Sequence, residues 1–353
     1  MPTSGVTMRD VYLARQRIAS IARRTPLIHS SELSKRIRGS DFGELTRDIY
    51  LKLESLQVTG SFKIRGATNK LLSLAPDVRK RGVITVSSGN HGRALSYVAG
   101  QLGVRAVVCL SEAVPEGKRE EIRNLGAETI VHGRTYDEAQ EYASRLQEER
   151  GLVMVHPFDD PSVIAGQGTI GLELLEDLPE IDTVVVPLSG GGLLAGIALA
   201  LKSAHPGIRT IGVSMERGPA MIESLRAGKV VDIVEEPTIA DALAGGIRPN
   251  AYTFDMIQKY VDDTVLVSEG EIAGAMAFAL ERHHLVVEGG GAVGIAALLY
   301  GKVGRPGRHV VVIVSGSNVD LALLVRIVGD HAYRRSKGET ASVANPSRSI
   351  APK

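Results

Sequence analysis

The sequence predicts an α/β protein whose sheets are mainly parallel. Apolar, β-branched runs of strand length alternate with helical patterns along the chain, which is typical of βαβ units. The strand candidates are apolar at nearly every position, as strands are in a sheet that is covered on both faces. A chain of 353 residues is long enough for two such domains. Predicted strands span 83–86, 104–110, 129–131, 183–187, 210–214, 263–267 and 310–314, and predicted helices span 92–102, 116–125, 136–149, 193–203 and 269–283.

Both ends of the chain depart from this alternation. The N-terminal segment, to about residue 25, predicts a helix that leads into the core. Residues 331–353 are polar and have no apolar period, so we expect a disordered tail there.

Composition and charge narrow the possible function. The 41 Lys and Arg residues nearly balance 40 Asp and Glu, which argues against nucleic acid or an anionic membrane as the main partner. The single cysteine, Cys109, excludes an intrachain disulfide and, within an apolar run, indicates a buried structural thiol. The N-terminus lacks the apolar core of a signal peptide, and Pro187 and a glycine run interrupt the most apolar stretch, 184–201. We therefore expect a cytoplasmic protein without a membrane segment.

The first chemical motif is centred on Lys63, in the segment Ser-Phe-Lys-Ile-Arg-Gly-Ala at residues 61–67. An isolated lysine at a helix start is usually a surface charge. A buried lysine, in contrast, loses its proton more readily and becomes a nucleophile that forms Schiff bases. The sequence alone does not decide between these two interpretations.

Two further motifs follow predicted strands and open predicted helices. Residues 87–92, Ser-Ser-Gly-Asn-His-Gly, would expose backbone N–H groups at a positive helix end and could bind a carboxylate. A plainly capped helix start explains the same residues equally well. Residues 189–192, Ser-Gly-Gly-Gly, predict a phosphate-binding turn, because consecutive glycines let the backbone wrap around an anion. A fourth segment, Ser-Gly-Ser-Asn at residues 315–318, could place a hydroxyl near a ring nitrogen or form a simple turn.

Together these four segments resemble one known family. Their residues and order are similar to those of the threonine dehydratase and serine racemase group of fold-type-II pyridoxal-phosphate enzymes, and the likeness covers residues 20–328. The resemblance implies a tryptophan synthase β-like fold with two parallel-sheet domains and the cofactor in the cleft between them. Residues 1–79 and 161–330 would form the large domain, and residues 80–160 would form the small inserted domain.

The resemblance also implies a role for each motif residue. Lys63 would bind pyridoxal 5′-phosphate covalently, and Phe62 would pack beside its ring. Asn90 would donate to the phenolic oxygen of the ring, and Ser315 would lie at the pyridine nitrogen. The phosphate would be bound by Ser189, Gly190, Gly191, Gly192 and Leu193, and the substrate carboxylate by Ser87, Ser88, Asn90 and His91. In serine racemase the position that matches Ser88 is also an acid/base, and a plain helix-start role stays open for His91.

Two departures from the family pattern concern substrate and metal. Ala242 stands where threonine dehydratases have glycine, and the glycine pair 245–246 is also unlike theirs. With residues 287–294, this region most resembles the hydroxyectoine-utilisation dehydratases, which implies a β-hydroxylated diamino acid or a close derivative as substrate. Metal-binding relatives offer a Glu, a backbone carbonyl and a second acid as ligands. The corresponding residues here are Glu216, Ala220 and Ile222, so the second acid is missing. Because a hydrocarbon replaces one oxygen ligand, we expect no tightly bound metal.

These observations predict an ammonia-lyase of the threonine dehydratase class. It would eliminate water and then ammonia from a small β-hydroxy amino acid, and the neutral Ser315 would favour this outcome over racemisation. A racemase or a β-replacement synthase is the alternative within enzymes, and an amino-acid sensor without activity is the alternative outside them. The family also implies a homo-oligomer, either a dimer or a tetramer.

Overall fold

The computed structural model describes residues 5–38, 47–234 and 236–337. Two sheets organise the chain. The strands are β1 (Leu27–His29), β2 (Asp48–Leu53), β3 (Val83–Val86), β4 (Ala106–Leu110), β5 (Glu128–Val131), β6 (Val153–Met154), β7 (Thr183–Pro187), β8 (Arg209–Met215), β9 (Asp263–Val267) and β10 (His309–Val314). The helices are α1 (Met8–Ile18), α2 (Ser31–Arg38), α3 (Lys63–Ser73), α4 (Pro76–Lys80), α5 (Asn90–Gln101), α6 (Glu116–Asn124), α7 (Tyr136–Arg150), α8 (Pro161–Asp177), α9 (Gly192–Ala204), α10 (Ala220–Ala227), α11 (Tyr252–Tyr260), α12 (Glu269–His283), α13 (Gly289–Leu299) and α14 (Leu321–Ser336).

The larger sheet has six strands in the order β1-β2-β10-β7-β8-β9. Only the edge pair of β1 and β2 is antiparallel in this sheet. Helices α1, α8, α9 and α11 cover one face, and α12, α13 and α14 pack on the other. The central strand β10 is buried from Val310 to Val314 because helices cover both of its faces. This explains its uninterrupted apolar sequence and confirms the predicted α/β class.

The smaller sheet has four parallel strands in the order β5-β4-β3-β6. Helix α5 packs on one face and α7 on the other. Ile64 and Leu71 of α3 also belong to the core on the α5 side, while α3 packs against α8 of the larger sheet. Helix α3 therefore lies between the two sheets and carries Lys63 at its N-terminus. All four strands lie inside the predicted 80–160 domain, whose boundaries stay a prediction.

All the predicted strands and helices appear, with shifts of at most two residues at their ends. Strands β3, β7 and β9 and helix α12 have the predicted bounds. The N-terminal helix is confirmed as α1, which buries Val11, Ala14 and Ile18. Strands β1, β2 and β6 were not predicted. Among the described residues, no helix is long and apolar enough to cross a membrane.

The predicted start of the disordered tail, residue 331, is too early in the chain. Helix α14 continues to Ser336, six residues into the segment 331–353. Its Ile327 is 7% exposed, and Leu323 and Leu324 pack against the core, so tertiary contacts anchor a helix whose later residues are polar. Residues 338–353 lie outside the described residues.

Candidate active site

The four motifs lie at strand ends and helix starts, where open α/β sheets bind ligands. Helix α3 begins at Lys63, and residues 87–89 connect β3 to α5. Residues 188–191 connect β7 to α9, and residues 315–318 follow β10.

The segment that precedes Lys63 pairs with the segment after β10. Ser61 and Gly316 form an isolated antiparallel bridge. The backbone N–H of Phe62 donates to the Ser315 carbonyl at 3.1 Å, and a second bond joins Ser317 N to Gly60 O at 2.9 Å. These two main-chain hydrogen bonds, which form the bridge, fix the start of α3 relative to Ser315.

Lys63 is half-buried, so the surface-charge interpretation does not hold. Its Nζ donates to the Pro157 carbonyl at 2.8 Å and lies 5.2 Å from the centroid of the Phe62 ring. Burial lowers the pKa of this amine from 10.5 to about 8, although the nearby Glu288 acts in the opposite direction. A larger share of Lys63 is therefore neutral, and hence nucleophilic, than for a lysine in water.

The glycine run 190–192 packs too closely against its neighbours to carry side chains. Gly191 has a φ of +88°, in the left-handed region that favours glycine. A Cβ added at Gly190 would lie 2.5 Å from the Phe158 ring, and one at Gly192 would lie 2.7 Å from the Phe158 carbonyl oxygen. Because Phe158 follows Pro157, the same short segment contacts both this run and the Lys63 amine. Helix α9 begins here with no side chain capping it, so its first N–H groups can bind an anion.

Helix α5 presents a second uncapped N-terminus. Its N-cap residue is Gly89, and no side chain accepts a hydrogen bond from its first turn. The capped helix start considered above is thus not what forms, and N–H groups remain for a carboxylate. Ser87 and Ser88 are half-buried beside this helix end.

The imidazole of His91 bonds to the protein backbone and is not directed at a carboxylate. The ring is 2% exposed, and Nε2 donates to the Val155 carbonyl at 3.1 Å. Burial, with the nearby Lys63 charge, lowers the pKa of His91 to about 3, so the ring is neutral. Nδ1 is therefore an acceptor, and only the backbone N–H of His91 can serve an anion.

Asn90 links the second motif to the fourth. Its amide Nδ2 donates to Glu288 Oε1 at 2.7 Å, and its Oδ1 accepts from Asn318 Nδ2 at 2.6 Å. The Ser315 hydroxyl, 4% exposed, points to the Gly290 carbonyl at 3.5 Å. Hydrogen bonds thus join the first, second and fourth motifs, and the segment Pro157–Phe158 links the Lys63 amine to the glycine run.

Comparison with known proteins identifies the family. The sequence profile described as "Pyridoxal-phosphate dependent enzyme" matches residues 18–316. The chain belongs to this family. An L-threonine ammonia-lyase from Thermotoga maritima is 46% identical over 323 residues, which cover 92% of this chain and 78% of that protein. Among solved structures, maize serine racemase gives a TM-score of 0.85 at 33% identity and covers 94% of this chain and 100% of its own. Threonine deaminase isoform 2 from Solanum lycopersicum gives 0.82 at 32% identity and covers 94% and 90%.

These findings confirm the threonine dehydratase and serine racemase resemblance, and with it the fold-type-II fold. The protein is a pyridoxal-phosphate-dependent lyase. The residues fit this cofactor, because the site combines a reactive amine at Lys63 with the uncapped N-terminus of α9, whose first N–H groups can bind a phosphate. The role of each site residue stays a prediction.

A buried ion cluster behind Lys63 was not predicted from the sequence. Arg65, 1% exposed, donates from Nε to Glu54 at 2.8 Å and from Nη1 to Glu173 at 2.6 Å. Lys52, fully buried, pairs with Glu173 at 2.7 Å. These charges hold α3 against β2 and α8, two residues beyond Lys63, because a buried charge must keep its partner.

The two departures from the family pattern have clear locations. Ala242 is exposed, and a Cβ added to Gly290 at the start of α13 would lie 3.2 Å from the Ala242 Cβ. Gly290 also accepts from Ser315, so Ala242 lies beside the site. Ile222, at the position where metal-binding relatives have an acid, is 1% exposed in the apolar core. Within the described ranges no cluster of three His, Cys, Asp or Glu side chains could hold a metal. The absence of a tightly bound metal stays a prediction.

Proposed function

We propose that this lyase eliminates water from a small β-hydroxy amino acid such as L-threonine or L-serine. The product released would be an enamine, which hydrolyses to a 2-oxo acid and ammonia, so the water lost is regained. The half-buried Lys63 amine with its lowered pKa, together with the uncapped N-termini of α5 and α9, carries this proposal. The names of the related enzymes support it.

Lys63 has two tasks in this proposal. It holds pyridoxal 5′-phosphate, which when bound supplies an electron sink for the Cα–H bond of an amino acid. Once a substrate amine replaces it, Lys63 is the base that takes the Cα proton. A pKa lowered to about 8 favours this step, because the free amine is then partly unprotonated near neutral pH.

The two helix ends divide the negative groups between them. The N-terminus of α9 and the glycine run would hold the phosphate, with Ser189 donating from its hydroxyl and Leu193 from its backbone. The N-terminus of α5 would hold the substrate carboxylate, with help from Ser87 and Ser88. Such separate anion sites fix the orientation of the amino acid before a bond breaks.

Ser315 sets the electronic character of the site. We place its hydroxyl at the pyridine nitrogen, where a neutral group would not stabilise a protonated, positively charged nitrogen as a carboxylate would. The bond between Phe62 N and Ser315 O keeps this position fixed relative to Lys63. A weak electron sink favours rapid loss of the β-hydroxyl over return of a proton to Cα.

Racemisation is the second candidate, and the fit to maize serine racemase favours it. Ser88 would then return a proton to Cα on the face opposite Lys63. A β-replacement synthase would use the same elimination and then add a nucleophile. A sensor without activity is less well supported, because it would not need the lowered pKa of the Lys63 amine.

For the substrate we propose a finer alternative, a β-hydroxylated diamino acid from hydroxyectoine degradation. Support comes from the resemblance stated above and from the position of Ala242 beside Gly290. Gly246 is also exposed in this segment and has open space around it. A longer substrate would need such space near the reactive end.

The test is a substrate panel on the holoenzyme. The 2-oxo acid and ammonia formed from L-threonine, L-serine and hydroxyectoine-derived amino acids are measured, and D-amino acid formation is followed by chiral chromatography. Keto acid from one substrate, absent in Lys63→Ala, supports the lyase and identifies its substrate. Inverted substrate without keto acid would overturn the proposal in favour of a racemase. A cytoplasmic location and a homo-oligomeric state stay predictions.

A further inference from the structure

The buried carboxyl group of Glu288, which contacts Asn90, has no role in the proposed function. Glu288 is the N-cap residue of α13 and is 3% exposed, yet its side chain does not cap its own helix. An acidic N-cap ordinarily accepts from the first N–H groups of its helix. Instead, Oε1 accepts from Asn90 Nδ2 at 2.7 Å and Oε2 accepts from the backbone N–H of Asn318 at 3.1 Å. The carboxylate is thus directed at Asn90.

Two main-chain groups fix the direction of this hydrogen-bond chain. The Thr59 carbonyl can only accept, so the amide nitrogen of Asn318 must face it, at 2.9 Å. The same nitrogen donates to Asn90 Oδ1 at 2.6 Å. At the other end, the backbone N–H of Asn318 can only donate, so Glu288 Oε2 must accept. No amide or carboxyl group in between can reverse without breaking a bond.

This direction decides what Asn90 can offer to a ligand. With its oxygen and nitrogen exchanged, Asn90 would place oxygen against a Glu288 oxygen and nitrogen against the Asn318 amide nitrogen. Both contacts are repulsive, so the amide is held in one orientation. One hydrogen on Nδ2 serves Glu288, and the second is free to serve another acceptor.

We propose that Glu288 is a positioning residue which, together with Asn318, makes Asn90 present a hydrogen-bond donor to the phenolic oxygen of pyridoxal 5′-phosphate. The inference rests on the proposed placement of Asn90 at the cofactor ring. Gly316 is part of the arrangement, since a Cβ at this position would collide with the Glu288 carboxylate. Glu288 acts through Asn90 and is not assigned a step in the reaction.

The test is the isosteric substitution Glu288→Gln. Its amide nitrogen must face either Asn90 Nδ2 or the backbone N–H of Asn318, so one hydrogen bond becomes a donor–donor contact in either orientation. We measure the pyridoxal-phosphate dissociation constant by equilibrium dialysis and the ratio of visible to near-ultraviolet Schiff-base absorbance. The dissociation constant should rise about three- to tenfold, the value of one hydrogen bond. The visible band should weaken, because the charged phenolic oxygen loses a donor.

A double-mutant cycle shows whether Glu288 acts through Asn90. In an Asn90→Ala background, Glu288→Gln should change neither readout further. Glu271→Gln is the matched control, since Glu271 is a carboxylate 4% exposed at the N-terminus of another helix, α12. This control should match the wild-type protein in both readouts.

Asn318→Ala is the second variant if Glu288→Gln does not fold by circular dichroism. It removes the donor on the opposite side of the Asn90 amide and should shift both readouts in the same direction. Wild-type values in the folded variant, or equal shifts with and without Asn90, would overturn the proposal. Neither readout requires β-elimination, so the result is independent of the proposed reaction.

Discussion

Replacing Lys63 with methionine should stabilise the cofactor-free protein at neutral pH. Burial lowers the pKa of the Lys63 amine from 10.5 to about 8. Each pKa unit corresponds to about 1.4 kcal/mol, so holding the ammonium in the folded protein costs about 3 kcal/mol at pH 7. Methionine has a similar length and carries no charge. It loses the hydrogen bond to Pro157 O, which contributes about 1 kcal/mol, so the net gain should be about 2 kcal/mol.

The pH dependence separates this cause from simple repacking. Below the folded-state pKa of about 8 the amine is protonated in both states, and the folded protein carries the full penalty. Between about 8 and 10.5 the unfolded chain binds more protons than the folded protein, so the stability of the Lys63 protein rises with pH. The advantage of Lys63→Met should therefore shrink to near zero by about pH 10.

Urea unfolding of both cofactor-free proteins at pH 7 and pH 10 gives the comparison. Lys229→Met, at an exposed lysine, is the matched control and should change stability by less than about 0.5 kcal/mol. A Lys63→Met protein less stable than wild type at pH 7 would refute the reasoning. So would an advantage that remains unchanged at pH 10.

Three further predictions concern the surroundings of the site. Gly190→Ala should lower cofactor affinity at least tenfold, measured by dialysis, because its Cβ would collide with Phe158, whereas Gly117→Ala, with open space around it, should match wild type. Arg65→Met should destabilise the protein by about 3–5 kcal/mol in urea unfolding, because the buried Glu54 loses its cation and Glu173 keeps only Lys52. Lys118→Ala removes the exposed ion pair between Lys118 of α6 and Asp241, and it should change the free energy of unfolding by less than about 1 kcal/mol. A larger loss of stability would contradict this expectation.

Strands buried on both faces could be predicted from the sequence, because full burial requires apolar residues throughout. Strand β2 escaped prediction although it lies beside the central strand. It contains Lys52, which is fully buried because it pairs with Glu173, 121 positions away in sequence. A local pattern cannot show that a lysine has such a partner. The strands β1 and β6, of three and two residues, are too short to show the apolar pattern of a strand.

The site motifs were predictable because each places small or polar residues at a strand end or, for Lys63, at a helix start. Their mutual contacts were not, since these depend on the packing of distant segments. Glu288 approaches Asn90 across 198 positions of sequence. The sequence shows Glu288 before a glycine run, but no local pattern shows its direction toward Asn90. The sequence suggested His91 as a residue that binds the substrate carboxylate, whereas packing directs its imidazole to the Val155 carbonyl.

The central claim is that Lys63 holds the cofactor, and borohydride reduction tests it most directly. The protein is incubated with pyridoxal 5′-phosphate, reduced with sodium borohydride, digested and mapped by mass spectrometry. We predict a phosphopyridoxyl group on Lys63, and loss of the visible Schiff-base absorbance in Lys63→Ala. A group on a different lysine, or none on a folded protein, would contradict the account.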